Sequence, residues 1–370
     1  MDSPQGTVNQ PLEILKALLK LLSFFAVLYC FLFAIKLMGG AFKMYGKDFA
    51  EMLMQRTSHP VVGMFIGLLA TAVVQSSSAT TSIIVGMVAC GVLSIGNAVP
   101  MVMGANIGTT VTNTLISMAH ITRGAEFKRA FAAATVHDFF NIIAVIVMLP
   151  LEIYTHFLSK SAMWLAEELA GSGGFEFVGP IDILLNPGVK AVEGWLGAYP
   201  WLLLVVSFVL IYFALKFMVD IMKSLVMTKI EAYFSSYLFK TAPRAFILGI
   251  LFTVLVQSSS ITTSLAVPLA GAGILTVQQI FPYTLGANIG TTITAILAAL
   301  ITANTAAISV AFAHLLFNVF GTIFILPIRS APPRLAEGFA DIAVRYKALT
   351  IAYLAVVFYL LPLLVIIVLG

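Results

Sequence analysis

Three features of this 370-residue sequence point to an all-α integral membrane protein of two inverted-topology repeats, each with a re-entrant helical hairpin and a broken transmembrane helix. The chain is 60% hydrophobic and 10% charged, with a mean hydropathy of +1.04, far more apolar than a soluble domain of its length. No Asp, Glu, Lys or Arg occurs from residue 57 to 122 or from 245 to 328. Inside those stretches two polar strings recur. Gln75-Ser-Ser-Ser-Ala-Thr-Thr-Ser82 returns as Gln257-Ser-Ser-Ser-Ile-Thr-Thr-Ser264, and Gly104-Ala-Asn-Ile-Gly-Thr-Thr110 returns at Gly286, each pair 182 residues apart.

In chain order, a first apolar run (18–38) follows Lys16 and Lys20 and has no small-residue cleavage pattern, so it reads as a retained helix. Segments 61–74 and 83–96 flank the first polar string. Each is too short to cross a bilayer, which takes about 20 helical residues. The same design returns at 245–256 and 265–277, so both are expected to be hairpins with polar tips deep in the membrane. Spans are expected at 98–119, 130–151, 201–222, 282–301, 306–326 and 348–369. The chain then divides into a first repeat with its leading helix (1–158), an outer loop (159–198), a second repeat (199–328), and a cytoplasmic loop with a last transmembrane helix (329–370). A third repeated pair, His137…Asn141 and His314…Asn318, lies 177 apart, each His and Asn on one helix face. Each copy crosses an odd number of times, which makes the second inverted.

The net charge of +4 comes from Lys and Arg in short connections, so it reports orientation and not nucleic-acid binding. Arg123, Lys128, Arg129, Lys223, Lys229, Lys240, Arg244, Arg329, Arg334, Arg345 and Lys347 are placed inside, and both the 159–198 loop and the carboxyl terminus outside. Lys43, Lys47 and Arg56 run against this scheme, offset in part by Asp48 and Glu51. Cys30 and Cys90 have no Cys or His at metal-ligand spacing, so neither a disulfide nor a transition metal is expected.

Glycines and hydroxyls at membrane depth leave backbone groups that lipid cannot satisfy unless a cavity or a ligand does. Broken helices of inverted repeats meeting at the midplane are a transporter plan in which half-helix ends meet an anion and polar breaks hold sodium. An oxyanion here finds no Lys or Arg, only hydroxyls and amides, so co-transported cations must balance its charge. Ser76, Ser77, Ser78 and Ser258, Ser259, Ser260 begin each hairpin's second arm and can face such a ligand. Gln75, Gln257, Asn106, Asn288 and the Thr residues after each Gly offer neutral oxygens to a hard cation. Asp138 is the one carboxylate in a span near these motifs, and its counterpart is Leu315, so a cation site on it exists in one half only. His137 and His314, paired with Asn141 and Asn318, read as packing residues and not proton carriers.

These strings resemble the type II sodium–phosphate cotransporters, bacterial branch, over residues 20–365. The resemblance rests on Val74-Gln-Ser-Ser-Ser78, Met103-Gly-Ala-Asn-Ile-Gly-Thr109, Arg129-Ala-Phe, Ala134-Thr-Val-His-Asp138-Phe-Phe-Asn141, Val256-Gln-Ser-Ser-Ser260 and Asn288-Ile-Gly-Thr-Thr-Ile-Thr294 through Leu300. It implies sodium-coupled uptake of dibasic phosphate, hairpin tips that hold the phosphate, and electrogenic transport through Ala132, Ala134 and Asp138. The resulting phosphate set is Ser76, Ser77, Ser78, Thr109, Ser258, Ser259 and Ser260. The sodium set is Gln75, Asn106, Asn113, Asp138, Asn141, Gln257, Asn288, Thr291 and Thr294. Where the family has other residues this chain has His120, Arg123 and Ala287, which bears on one sodium site, and its 159–198 loop lacks Cys. The expected partners are phosphate, sodium and the plasma-membrane bilayer, with no prosthetic cofactor and a homodimer as an allowed assembly. A carrier of arsenate or sulfate is the nearest alternative. An intramembrane hydrolase is disfavoured because His137 and Asp138, adjacent on a helix, point to different sides. A signalling receptor is disfavoured because the chain has no cytoplasmic output domain.

Overall fold

The computed structural model describes residues 10–171, 178–230 and 239–370, and the described residues form helices without strands. Residues 1–9, 172–177 and 231–238, including part of the expected 159–198 connection, lie outside the described residues, as do the side chains of Lys223 and Lys229. Among the described residues six helices are long and apolar enough to cross a membrane: Leu18–Tyr45, Gly124–Thr155, Pro200–Ile221, Val277–Leu300, Thr305–Ile328 and Lys347–Leu369. Three of them are mostly buried and three are not. The most apolar window of Gly124–Thr155 is 72% buried and that of Lys347–Leu369 only 17%, so the first lies at the centre and the second turns large apolar side chains such as Ile367 outward.

The first copy begins with α1 (Gln10–Tyr45) and α2 (Lys47–Arg56), followed by α3 (Pro60–Val74), α4 (Ser77–Ala89), α5 (Ile95–Gly108), α6 (Val111–Ser117) and α7 (Gly124–Thr155). The connection holds α8 (Phe157–Gly171) and α9 (Val178–Leu196), and α10 (Pro200–Ile230) leads into the second copy. There α11 (Ala242–Val256), α12 (Ser259–Ser264), α13 (Ala266–Gly271), α14 (Val277–Thr302) and α15 (Thr305–Ile325) follow. The chain ends with α16 (Ala331–Arg345), α17 (Lys347–Ala355), a π-helical turn over Val356–Leu360, and α18 (Leu361–Leu369).

The 182-residue register survives into three dimensions, since α11 begins and ends 182 residues after α3. The matched helices also pack alike, α3 along α5 and α11 along α14. Glycine makes the approach possible: a Cβ on Gly104 would sit 1.8 Å from Met64 O, and one on Gly286 2.0 Å from Phe246 O. Gly104 and Gly286 thus serve close helix packing, and that role coexists with the polar breaks. The helices that follow each copy also exchange supports, α8 packing on α15 and α16 on α7. Lys128 Nζ meets Asp341 Oδ1 at 2.5 Å across the second of these contacts.

Four expectations change. The run 98–119 is not one span: it stops at Gly108, turns at Thr109 and Thr110, and resumes as α6. Both threonine hydroxyls bond back to their own helix, to Ala105 O and Ile107 O, a pattern that bends helices. Its counterpart α14 is continuous, so the broken span belongs to the first copy alone. One difference between them is that Ser260 Oγ takes the Thr109 carbonyl at 3.5 Å, whereas Ser78 meets the Thr291 side chain. The second arm 265–277 is shorter than expected and splits at Leu265, because Pro268 lacks an N–H and crowds the Ser264 carbonyl. Finally, the two loops expected at 159–198 and after 328 hold helices. Ala336, Ala340 and Ala343 recur on the buried face of α16, an amphipathic pattern that a search for 20-residue apolar runs passes over.

Candidate functional site

The two Gln-Ser-Ser-Ser strings fold into the same break. Gln75 and Gln257 end α3 and α11 in the left-handed region, at φ 55° and 57°, and donate their N–H to Thr71 O and Thr253 O. Ser76 and Ser258 follow in extended geometry, both at φ −148°, and cap α4 and α12 by accepting from Ala79 N (3.2 Å) and Ile261 N (3.4 Å). A left-handed residue with a side chain costs about 1–2 kcal/mol. Two identical instances at matched positions mark a feature retained for use.

The breaks meet each other. Ser78 Oγ donates to Gln257 O at 3.3 Å and lies 3.5 Å from Thr291 Oγ1, while Ser260 Oγ donates to Thr109 O at 3.5 Å. Ser77 and Ser259 are buried beside them, and their carbonyls accept the Thr81 and Thr263 hydroxyls. The Thr109 hydroxyl donates to Ala105 O at 3.0 Å, and the Thr109 carbonyl reaches the other copy. Gln75 is exposed whereas Gln257 is buried, with Oε1 unbonded, so the two tips have the same backbone and different surroundings. Gln257 and Thr294 line a cavity of about 250 Å³ closed by Phe24, Leu28, Phe31, Met218 and Leu297.

Behind the tips a side-chain chain crosses between copies. His137 Nε2 donates to Asn288 Oδ1 at 2.6 Å, and His314 Nε2 donates to Asn106 Oδ1 at 3.3 Å. Asn288 Nδ2 donates to Asn141 Oδ1 at 2.9 Å. Asn141 and Asn318 donate to the Asn106 and Asn288 carbonyls at 2.9 and 3.0 Å. The sequence pairs each His with the Asn on its own helix; the structure corrects this, because each His reaches the Asn of the opposite copy. Asn oxygens only accept, so both rings carry their proton on Nε2 and leave Nδ1 buried without a partner. Asn113 Nδ2 donates to Thr263 Oγ1 at 2.8 Å, and its Oδ1 is also unpartnered.

Asp138 is fully buried and turns away from His137, toward the C-terminal span, where Tyr353 donates its hydroxyl to Oδ2 at 2.6 Å. Asp138 Oδ1 has no hydrogen-bond partner. Thr110 lies beside the carboxyl but gives its proton to Ile107 O at 2.7 Å. Leu315, the counterpart, packs into the apolar core. With His137 on Asn288 and Asp138 on Tyr353, the base and acid that a hydrolase would need face apart.

Buried hydroxyl oxygens without partners also come in register. Thr71 and Thr253 form one such pair, in the last turns of α3 and α11, and Thr112 and Thr294 form another. Only Thr294 is singled out by the sequence; the 182-residue spacing carried the signal for the other three. Tyr353 had no sequence signal, because the last span lies outside the duplicated motifs.

Comparison with known proteins agrees with this architecture. The model of the Na+/Pi-cotransporter family matches residues 30–166 and 210–352, one block on each copy. The chain is 29% identical to "Sodium-dependent phosphate transport protein 2B" of Homo sapiens over 98% of its length and 67% of that protein. It is 30% identical to "Sodium-dependent phosphate transport protein 2A" of Mus musculus over 98% of its length and 70% of that protein. No solved structure matches. With both copies matched, over well more than half of its length, the chain belongs to the Na+/Pi-cotransporter family.

Proposed function

We propose that this chain is a secondary active transporter that carries inorganic phosphate across the cell membrane with sodium. The observation that carries the reading is the meeting of the two breaks, Ser78 on Gln257 O and Ser260 on Thr109 O, in a region whose sequence holds no Lys or Arg. Convergent hydroxyls and amides bind a tetrahedral oxyanion, and without fixed positive charge nearby the anion's charge must be balanced by ions that travel with it. Family membership and the names of the relatives favour phosphate and sodium as that pair.

In this reading Ser76–Ser78, Thr109 and Ser258–Ser260 hold the phosphate. Sodium is held by oxygens of Gln75, Gln257, Asn106, Asn113, Asn141, Asn288, Thr291 and Thr294, and by Asp138 on one side only. The unpartnered oxygens of Gln257, Thr294, Asn113 and Asp138 support a cation set, because buried polar atoms normally find partners. The matched breaks and the exchanged supports favour two inverted repeats with re-entrant hairpins that expose a shared site to each side in turn. A multi-pass plasma-membrane protein that imports phosphate fits the Lys and Arg distribution.

Labelled phosphate uptake into proteoliposomes under imposed sodium, potassium or proton gradients tests this. A sodium gradient drives accumulation and a proton gradient alone does not; equal uptake in potassium overturns sodium coupling. Unlabelled arsenate or sulfate competing as well as phosphate would make the site one for oxyanions in general.

A further inference from the structure

The last span stands outside the duplicated motifs, yet it reaches the centre of the molecule twice. Tyr353 on α17 donates to Asp138 Oδ2 at 2.6 Å, and Tyr359 donates to Ala72 O at 3.1 Å, in the last turn of α3. A π-helical turn at Val356–Leu360 follows Tyr353 and contains Tyr359, a local widening of the kind that recurs at functional sites. The Tyr353 ring is set against Phe339 of α16 (centroids 4.9 Å) and Phe358 (5.6 Å), which fixes where its hydroxyl points.

We infer that Tyr353 is a positioning residue for the cation bound at Asp138: its O–H holds Oδ2 and presents the unpartnered Oδ1 to the ion. This rests on the reading of Asp138 as a sodium ligand. A buried carboxylate with one hydrogen bond is under-compensated, and that deficit is what a cation relieves. The donor must be neutral. A Lys or Arg in the same place would neutralise the carboxylate and compete with sodium for it, whereas a phenol orients the group and leaves its charge available.

The test measures current and tracer flux in one proteoliposome preparation for the unmodified protein, Tyr353→Phe, Asp138→Gly, the double variant and Tyr359→Phe. Phe keeps the ring contacts and removes only the hydroxyl. Tyr353→Phe should raise the sodium concentration for half-maximal uptake roughly three- to tenfold, the worth of one hydrogen bond to a charged group in this setting. The KM for phosphate at saturating sodium should stay unchanged. In the Asp138→Gly background the same substitution should add nothing, and Tyr359→Phe should keep the unmodified sodium dependence. Unchanged sodium activation in Tyr353→Phe, an equal rise in phosphate KM, or an undiminished effect in the Asp138→Gly background overturns the proposal. If Asp138→Gly carries the same charge per phosphate, the reading of Asp138 fails and the proposal falls with it. Should Tyr353→Phe not fold, infrared difference spectra decide: a sodium-induced shift of a tyrosine C–O band, present in the unmodified protein and absent in Asp138→Gly, supports the proposal, and no such shift overturns it.

Discussion

Asn288 and Asn106 occupy matched positions, yet the structure predicts that removing them has unequal cost. Asn288 uses both ends of its side chain, accepting from His137 Nε2 at 2.6 Å and donating to Asn141 Oδ1 at 2.9 Å, and it is 2% exposed. Asn288→Ala therefore strands two buried partners on α7. Asn106 accepts from His314 Nε2 at the longer distance of 3.3 Å and turns its Nδ2 back to Val102 O within α5. Asn106→Ala strands one weakly held imidazole. Side-chain hydrogen bonds inside membrane proteins average about 0.6 kcal/mol and reach about 1.7. A buried group left unsatisfied costs about 1–3 kcal/mol. Asn288→Ala should then destabilise by roughly 1–3 kcal/mol and Asn106→Ala by less than about 1 kcal/mol. Reversible unfolding by SDS in mixed micelles measures both, and a double-mutant cycle with His137→Ala isolates the short bond. Equal losses, or a larger loss at Asn106, would refute the asymmetry and with it the geometry of the crossing chain.

Other substitutions test neighbouring parts of the argument. Ser76→Ala and Ser258→Ala each remove a helix cap worth about 1 kcal/mol, and both should weaken phosphate binding in detergent while the protein stays folded; if only one does, a shared site is wrong. Asp138→Gly should leave a slower, electroneutral carrier that still needs sodium, because with dibasic phosphate any sodium beyond two carries net charge. The same charge per phosphate, from current and flux together, would make the acid structural. Gly286→Ala would put a Cβ 2.0 Å from Phe246 O, an overlap that should cost at least about 1–3 kcal/mol. Gly338→Ala meets nothing within 4 Å and should stay within about 0.5 kcal/mol. Equal melting of the two would show that α11 and α14 are not in close contact.

The sequence by itself determined the membrane environment, the duplication and the position of both breaks. These follow from local chemistry: charge-free apolar runs cannot stay in water, and a Gln-Ser-Ser-Ser string repeated at 182 residues repeats its backbone, down to matching φ values at Gln75 and Gln257. Pro268 and the Thr109–Thr110 pair were equally visible, yet their effect on helix continuity was not. Thr291 and Thr292 follow the same Gly-Ala-Asn-Ile-Gly string and sit in an unbroken α14. What tertiary structure decided was partnership. His137 chooses Asn288 over Asn141, Gln257 is buried where Gln75 is exposed, and Asp138 finds Tyr353, 215 residues away. Spacing along a chain says which side chains share a helix face. Which face of another helix comes to lie against it is set by packing among helices far apart in sequence, and no local pattern carries that information.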